Sequence, residues 1–190
     1  MRVIFYVAVS MLATLTFTRA DFANSKSEES MPTVGGTFPK LTASNLEKQT
    51  LSLPEEFAGE RNLLLIAFQR EQQKNVDTWL HEMKRFEWAH SFRYYELPTI
   101  DKLNPVARWF INSGMRRGIR DRNARARTIT LYLDKPSFRK ALNLPDENQI
   151  YAVLVDRSGY VLWRVEGDFD EAKAASLDEM LRRVSPRLDR

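Results

Sequence analysis

No cysteine occurs anywhere in the 190-residue chain, and that absence removes several chemistries at once. Without a thiolate there is no disulfide framework, no thiol nucleophile, no thiolate metal site and no cysteine-borne lipid anchor. Histidine is nearly as scarce. His81 and His90 are the only two, and "HEMKR" lacks the second histidine that a zinc motif requires, so both read as surface or edge residues. Asp77, His81 and Glu82 can be drawn as an acid–base group, but no activated nucleophile lies near them in sequence. Glycine is limited to seven residues, and the pair Gly35-Gly36 sits in no phosphate-loop pattern. A strong excess of one charge is also missing. The formal charge is +4, and without Arg2 and Arg19 it falls to 27 basic residues against 25 acidic ones. So small a surplus predicts no general affinity for nucleic acid. No metal and no cofactor is expected from these residues.

What is present begins with "MRVIFYVAVSMLATLTFTRA". One basic residue, an uncharged apolar run from Val3 to Phe17 and a small residue at Ala20 read as an export signal over residues 1–20. Fifteen residues rise only about 22 Å as a helix, short of a bilayer core of roughly 30 Å. An organelle transit peptide is the rival reading, although the run is apolar all round rather than amphipathic; an uncleaved anchor is the other alternative. Residues 21–37, rich in Ser, Glu and Gly, read as a disordered linker. A single domain is expected over residues 38–187, large enough for a real core.

Within that domain, "FPKLTASNLEKQTLSLP" predicts a hairpin turning around Asn45 to Gln49. "NLLLIAF" is a continuous apolar run, as in a strand covered on both faces. From Asn75 the period becomes helical, with Val76, Trp79, Leu80, Met83 and Phe86 on one face. "SFRYYELP" reads as a second strand. Asn104 then caps a helix that opens with Pro105 and continues through "VARWFI", and "RTITLYLD" gives a third strand. A helix follows at "PSFRKALNL". "IYAVLV" and "YVLWRVEG" form a hairpin through "DRSG", where Gly159 can take a positive φ. A closing helix spans Glu171 to Val184. The sum is an α/β domain: a mixed central sheet flanked by helices, with an added N-terminal hairpin.

This order, with "YLDKPSFRKALNL" leading to "IYAVLVDRSGYVLWRVEG", resembles the thioredoxin-like fold, in particular its peroxiredoxin-like branch. Asp134, Asp156 and Gly159 occupy the recurring positions of that tail. The resemblance implies a redox centre after the first core strand, and this chain departs from it. The slots for a Cys-x-x-Cys pair fall at about Gln73 and Val76, and the slot for a cis-proline falls near Ile150. A closer likeness is carried by "FPKLTASNLEKQTLSLPEEFAGERNLLLIAF", the tryptophan of "VDTWLHEMKRF", "GMRRGI" and "VLVDRSGYVLWRVEG". Together they resemble the mitochondrial ATP synthase assembly-factor family, which implies a chaperone for a membrane subunit of the F-type ATP synthase. The export-type leader fits a bacterial relative better.

Two stretches are candidate sites. "GMRRGIRDRNARAR" places Arg116, Arg117, Arg120, Arg122, Arg125 and Arg127 within twelve residues beside one acid, Asp121. Guanidinium forks suit carboxylates and phosphates, so this arginine-rich loop would hold a protein partner's acidic segment or an anionic lipid surface; the alternative is a solvated loop paired with the protein's own many acids. No aromatics interleave the arginines, which argues against nucleic acid. The second stretch is the degenerate active-site turn, Arg70, Gln72, Gln73, Lys74 and Asn75, which would contact a polypeptide. Trp79, Trp88, Trp109 and Trp163 read mostly as core by spacing, with Trp88 the expected exception. The resulting expectation is a non-catalytic assembly protein outside the cytoplasm, most simply periplasmic, with a membrane-embedded or membrane-associated partner. Mitochondrial residence and a cysteine-independent oxidoreductase are the alternatives.

Overall fold

The computed structural model describes residues 35–184. The leader over residues 1–20 and the linker up to residue 34 lie outside the described residues. The expected hairpin comes first, as strands β1 (Leu41–Asn45) and β2 (Thr50–Leu53) paired antiparallel. Its turn is built by Asn45, whose Oδ1 accepts from the amides of Glu47 and Gln49 at 3.0 Å each, while Lys48 takes a φ of 65°. An Asx side chain that supplies its own turn acceptors is a standard solution to a tight reversal.

β3 (Arg61–Ala67) follows, and Leu63, Leu64, Leu65 and Ile66 are all fully buried. Both faces of this strand are covered because alternate side chains enter opposite cores. Next come a single 3-10 turn at Arg70–Gln72, helix α1 (Gln73–Glu82), a second 3-10 turn at Met83–Phe86 and strand β4 (Phe92–Asp101). α1 therefore starts two residues ahead of the expected Asn75. Helix α2 (Pro105–Gly118) is capped by Asn104, whose side chain accepts from the Ala107 amide, and short helix α3 (Arg122–Arg127) is capped in the same way by Asp121. β5 (Ile129–Leu133), α4 (Lys135–Ala141), β6 (Tyr151–Asp156), β7 (Val161–Glu166) and α5 (Glu171–Val184) complete the order.

The seven strands form one sheet in the order β2-β1-β5-β4-β3-β6-β7. β3, β4 and β5 run parallel, and the remaining pairs are antiparallel. One core lies on the α4 face, where Phe38, Phe57, Phe138 and Leu142 pack on Leu64, Ile66, Leu97 and Leu131. The other joins α1 and α5 to the opposite face through Val76, Trp79, Leu177 and Leu181 against Leu63, Leu65 and Leu154. Each such fully buried side chain contributes on the order of 1.5–3 kcal/mol. The expected mixed sheet with helices on both faces is what the chain builds.

Two expectations are corrected here. The arginine-rich segment is not a loop. It is the C-terminal turn of α2, a break at Ile119–Asp121, and α3. Trp79 and Trp163 are core residues at 0% and 6% exposure, but Trp109 is 61% exposed and Trp88 37%. The helical spacing of Val106, Trp109 and Phe110 reveals an apolar face, and periodicity cannot say whether anything covers it. None of the residues of α2 is fully buried.

Candidate functional site

β3 is covered from Asn62 to Ile66, and the turn at its exit is closed by side-chain amides. The Gln72 side chain is buried. Its Oε1 accepts from the amides of Phe68 at 2.8 Å and Gln69 at 3.2 Å, and its Nε2 donates to the Glu147 carbonyl at 2.7 Å. Gln69 Nε2 donates to the same carbonyl at 3.1 Å. The buried backbone groups of the turn are thus satisfied by one neutral side chain. α1 is clamped to the segment before α5 by three further bonds. Asn75 donates to Asp168, the Thr78 hydroxyl accepts from the Phe169 amide, and Trp79 Nε1 donates to the Gly167 carbonyl at 3.1 Å. Of the turn residues expected to contact a polypeptide, Gln72 therefore faces inward and Gln73, Arg70 and Lys74 face solvent. Val76, at the second redox slot, is core. Among the described residues the one cis peptide bond joins Leu53 to Pro54, and the bond before Ile150 is trans.

Beneath the first turn of α1 lies Glu96, a carboxyl on central strand β4 that is only 7% exposed. Gln73 Nε2 lies 3.3 Å from one of its oxygens and the Thr128 hydroxyl 3.3 Å from the other. Burial pushes this carboxyl above the usual range, against the opposing pull of those two hydrogen bonds. The Thr128 hydroxyl has a single proton to divide between Glu96 and the Ala124 carbonyl at 2.9 Å, so its support of the carboxylate is partial.

The six arginines separate into three groups. Arg116, Arg122 and Arg125 converge on Glu47 in the β1–β2 turn, with the closest contact at 2.5 Å from Arg125 Nε. Hydrogen bonding to Arg125, ahead of the charges of Arg116 and Arg122, holds the Glu47 carboxyl below the usual range. Arg116 also donates to the Leu46 carbonyl, and Arg125 to those of Ile119 and Arg120. These three fasten the end of α2 to the hairpin. Arg127 lies 4.5 Å over the Tyr94 ring. Arg117 and Arg120 are exposed, and their side chains make no hydrogen bond or ion pair among the described residues.

α2 reaches strand β5 through Arg108, 5.0 Å over the Tyr132 ring, and Asn112, which accepts from the Tyr132 hydroxyl at 2.9 Å. Its other side carries Val106 at 65%, Trp109 at 61% and Phe110 at 65% exposure. The two rings stack edge to face at 5.0 Å, so they present a single aromatic surface rather than two independent side chains. At helical spacing Arg117 falls on the same side as Val106 and Phe110. The two histidines occupy another region. An open cleft of about 860 Å³ between the end of α1 and the start of β4 is lined by both, with Arg93, Tyr94 and Arg127. No group of three His, Asp or Glu with metal-holding geometry occurs among the described residues, and no described helix is long and apolar enough to cross a membrane.

No family model matches the chain, and no curated protein matches it in sequence. Solved structures do. BsSco, a member of the Sco family of cytochrome c oxidase assembly proteins, aligns over 80% of this chain and 96% of its own with a TM-score of 0.56 at 13% identity. A protein of Aquifex aeolicus VF5 proposed to transfer electrons aligns over the same shares, also at 0.56, with 9% identity. The thioredoxin domain of a thiol-disulfide oxidoreductase from Bacteroides vulgatus covers 80% of this chain and 97% of its own, with a TM-score of 0.49 at 17% identity. At such identities the likeness is one of fold. The domain is thioredoxin-like, and it has no cysteine.

Proposed function

We propose that this chain is a non-catalytic docking protein, a thioredoxin-like domain that acts outside the cytoplasm on a membrane-associated partner in the manner of an assembly chaperone. The observation that carries the reading is the outer side of α2, where a contiguous aromatic surface adjoins arginines that the fold itself does not use. Large exposed aromatics beside unpaired guanidinium groups have the composition of an interaction anchor. The turn after β3 supports the same reading from the other direction, because its buried polar groups are satisfied internally and no thiolate can form there. The solved structure of an oxidase assembly protein shares the fold, and the sequence resemblance implies a membrane subunit of an F-type ATP synthase as the client.

The test is affinity capture from gently solubilised membranes, run beside a Trp109→Ser/Phe110→Ser variant and an Arg117→Glu/Arg120→Glu variant. Recovery of one membrane complex by the wild type, lost in both variants, is the expected result. A parallel insulin-reduction and peroxide assay addresses the enzyme alternative, and sustained turnover by clean protein would overturn the non-catalytic reading.

A further inference from the structure

The outer side of α2 has a definite chemistry. From Lys102 to Arg120 there are five basic residues, Lys102, Arg108, Arg116, Arg117 and Arg120, and not one acid. The exposed part of that stretch runs in a fixed order along the helix. Lys102, near Asp134, precedes it; Val106, Trp109 and Phe110 occupy its first two turns, Arg117 lies in its last turn, and Arg120 follows in the break before α3. From residue 106 to 117 a helix extends about 16 Å. The apolar part is therefore flanked at both ends by cations, and among the described residues nothing covers it. The distribution of the arginines is informative here: those that touch Glu47 fix the helix in place, and those on the outer side are left without a counter-charge.

From this we infer that α2 is a membrane-surface helix, which lies in the interface of an anionic bilayer with Val106, Trp109 and Phe110 among the acyl-chain ends and Arg117, Arg120 and Lys102 on lipid phosphates. The inference rests on the docking reading above and names what the α2 face meets, the lipid itself rather than a groove of the partner. Three arguments favour lipid. An acid-free stretch is complementary to a uniformly anionic plane. Trp and Phe are residues that settle at the boundary between headgroups and chains. An exposed apolar side flanked by cations sinks into a soft surface with no pre-formed receptor. Each cation near such a surface raises partitioning about fivefold. Reversal of Arg117 and Arg120 is then expected to weaken binding by roughly 25-fold or more.

The absence of cysteine makes the test direct. In the full chain, Phe110→Cys is labelled with an environment-sensitive fluorophore, and Arg157→Cys, in the β6–β7 turn far along the sheet from β5, serves as the reference position. Each is mixed with vesicles of phosphatidylcholine alone and of phosphatidylcholine with about 30% phosphatidylglycerol, a composition that sets the surface negative. The expected result is a blue shift and quenching by spin-labelled lipid at position 110 on the anionic vesicles only, no change at 157, and loss of the signal with Arg117→Glu/Arg120→Glu. The position-specific signal separates α2 from any binding through the apolar N-terminal leader. If the chain sediments with vesicles while the label at 110 stays in water, the inference is overturned. Equal insertion into neutral vesicles overturns the part assigned to the arginines. Photo-crosslinking from position 110 in native membranes then distinguishes the two levels. A captured polypeptide together with a label that never enters lipid would refute the lipid inference and keep the docking reading, and neither signal would refute both.

Discussion

Replacement of Gln72 by alanine tests whether the turn after β3 is a structural lock. The substitution removes three hydrogen bonds, but their replacements differ. The Phe68 amide belongs to a residue 6% exposed and loses its sole side-chain acceptor, at 2.8 Å; a buried donor left unpaired costs about 1–3 kcal/mol. The Gln69 amide sits beside solvent, and the Glu147 carbonyl still accepts from Gln69 Nε2 at 3.1 Å. Those two bonds are worth about 0.5–1 kcal/mol each. The total is about 2–5 kcal/mol, equivalent to a fall in Tm of roughly 4–20 °C for a domain of this size. Urea unfolding followed by tryptophan fluorescence measures it, since Trp79 and Trp163 both report on the core. Gln73→Ala is the matched control: Gln73 is exposed, and its bonds to Asp77 and Glu96 are the long ones, at 3.1 and 3.3 Å. If Gln72→Ala is no less stable than Gln73→Ala, the turn is not held by this side chain, and its polar groups are available for other work.

Glu96→Gln should change the pH dependence of stability in one direction. A carboxyl whose folded pKa lies above its unfolded value of 4.5 stabilises the fold below that value and loses the contribution as pH rises through the folded pKa. The variant should therefore match the wild type in acid and gain on it as pH climbs above 4.5; Tm curves from pH 4 to 8 that stay parallel would refute this. Trp79→Phe keeps most of the packing but strands the Gly167 carbonyl, and about 1–3 kcal/mol of destabilisation by urea titration is expected. Glu47→Gln frees three guanidinium groups at once, so the variant should elute later from a cation exchanger and show faster amide exchange across the β1–β2 turn. Trp109→Ser/Phe110→Ser should leave unfolding within about 0.5 kcal/mol per site, because both rings are exposed; a large loss would mean that the face serves the fold.

What the sequence made legible follows from the range of each signal. Local signals were reliable. Asn104 with Pro105 marked the start of α2, the Asn45–Gln49 segment marked the hairpin turn, and α5 runs from Glu171 to Val184 as its periodicity implied. Contacts between distant residues were not legible. Gln72 finds the Glu147 carbonyl 75 positions later, and Arg125 finds Glu47 78 positions earlier. No spacing rule could divide six arginines into three that fasten a helix, one that covers a tyrosine and two that remain free. Glu96 did leave a trace, as an acid inside the apolar strand "YYELP", where a charge is unexpected unless something receives it. Trp109 was misread because its pattern is identical for a face turned inward and a face turned outward. The deciding fact is what Tyr132 does: it engages Arg108 and Asn112 and so fixes the other side of α2 against the sheet.

That last contact bears on why the aromatic side of α2 can stay uncovered without cost to the fold. A helix with one apolar stripe normally obtains its stability by burying that stripe. α2 instead is held by a polar set: the Asn104 cap, the Arg108 and Asn112 contacts to Tyr132, and Arg116 on the Leu46 carbonyl and Glu47. Ala107, Ile111 and Met115 are half-buried, while Val106, Trp109 and Phe110 are left over, and such an exposed set is not a neutral feature in water, where it promotes self-association. The turn after β3 has the opposite character, since its buried polar groups are paired and its apolar residue, Val76, is in the core, which leaves only charged and amide side chains such as Arg70, Gln73 and Lys74 at its surface. Between the two places, the one with an exposed apolar surface is α2. In this thioredoxin-like fold the exposed aromatic surface therefore lies on α2, beside β5, while the turn at the end of β3 is closed around the buried Gln72 side chain.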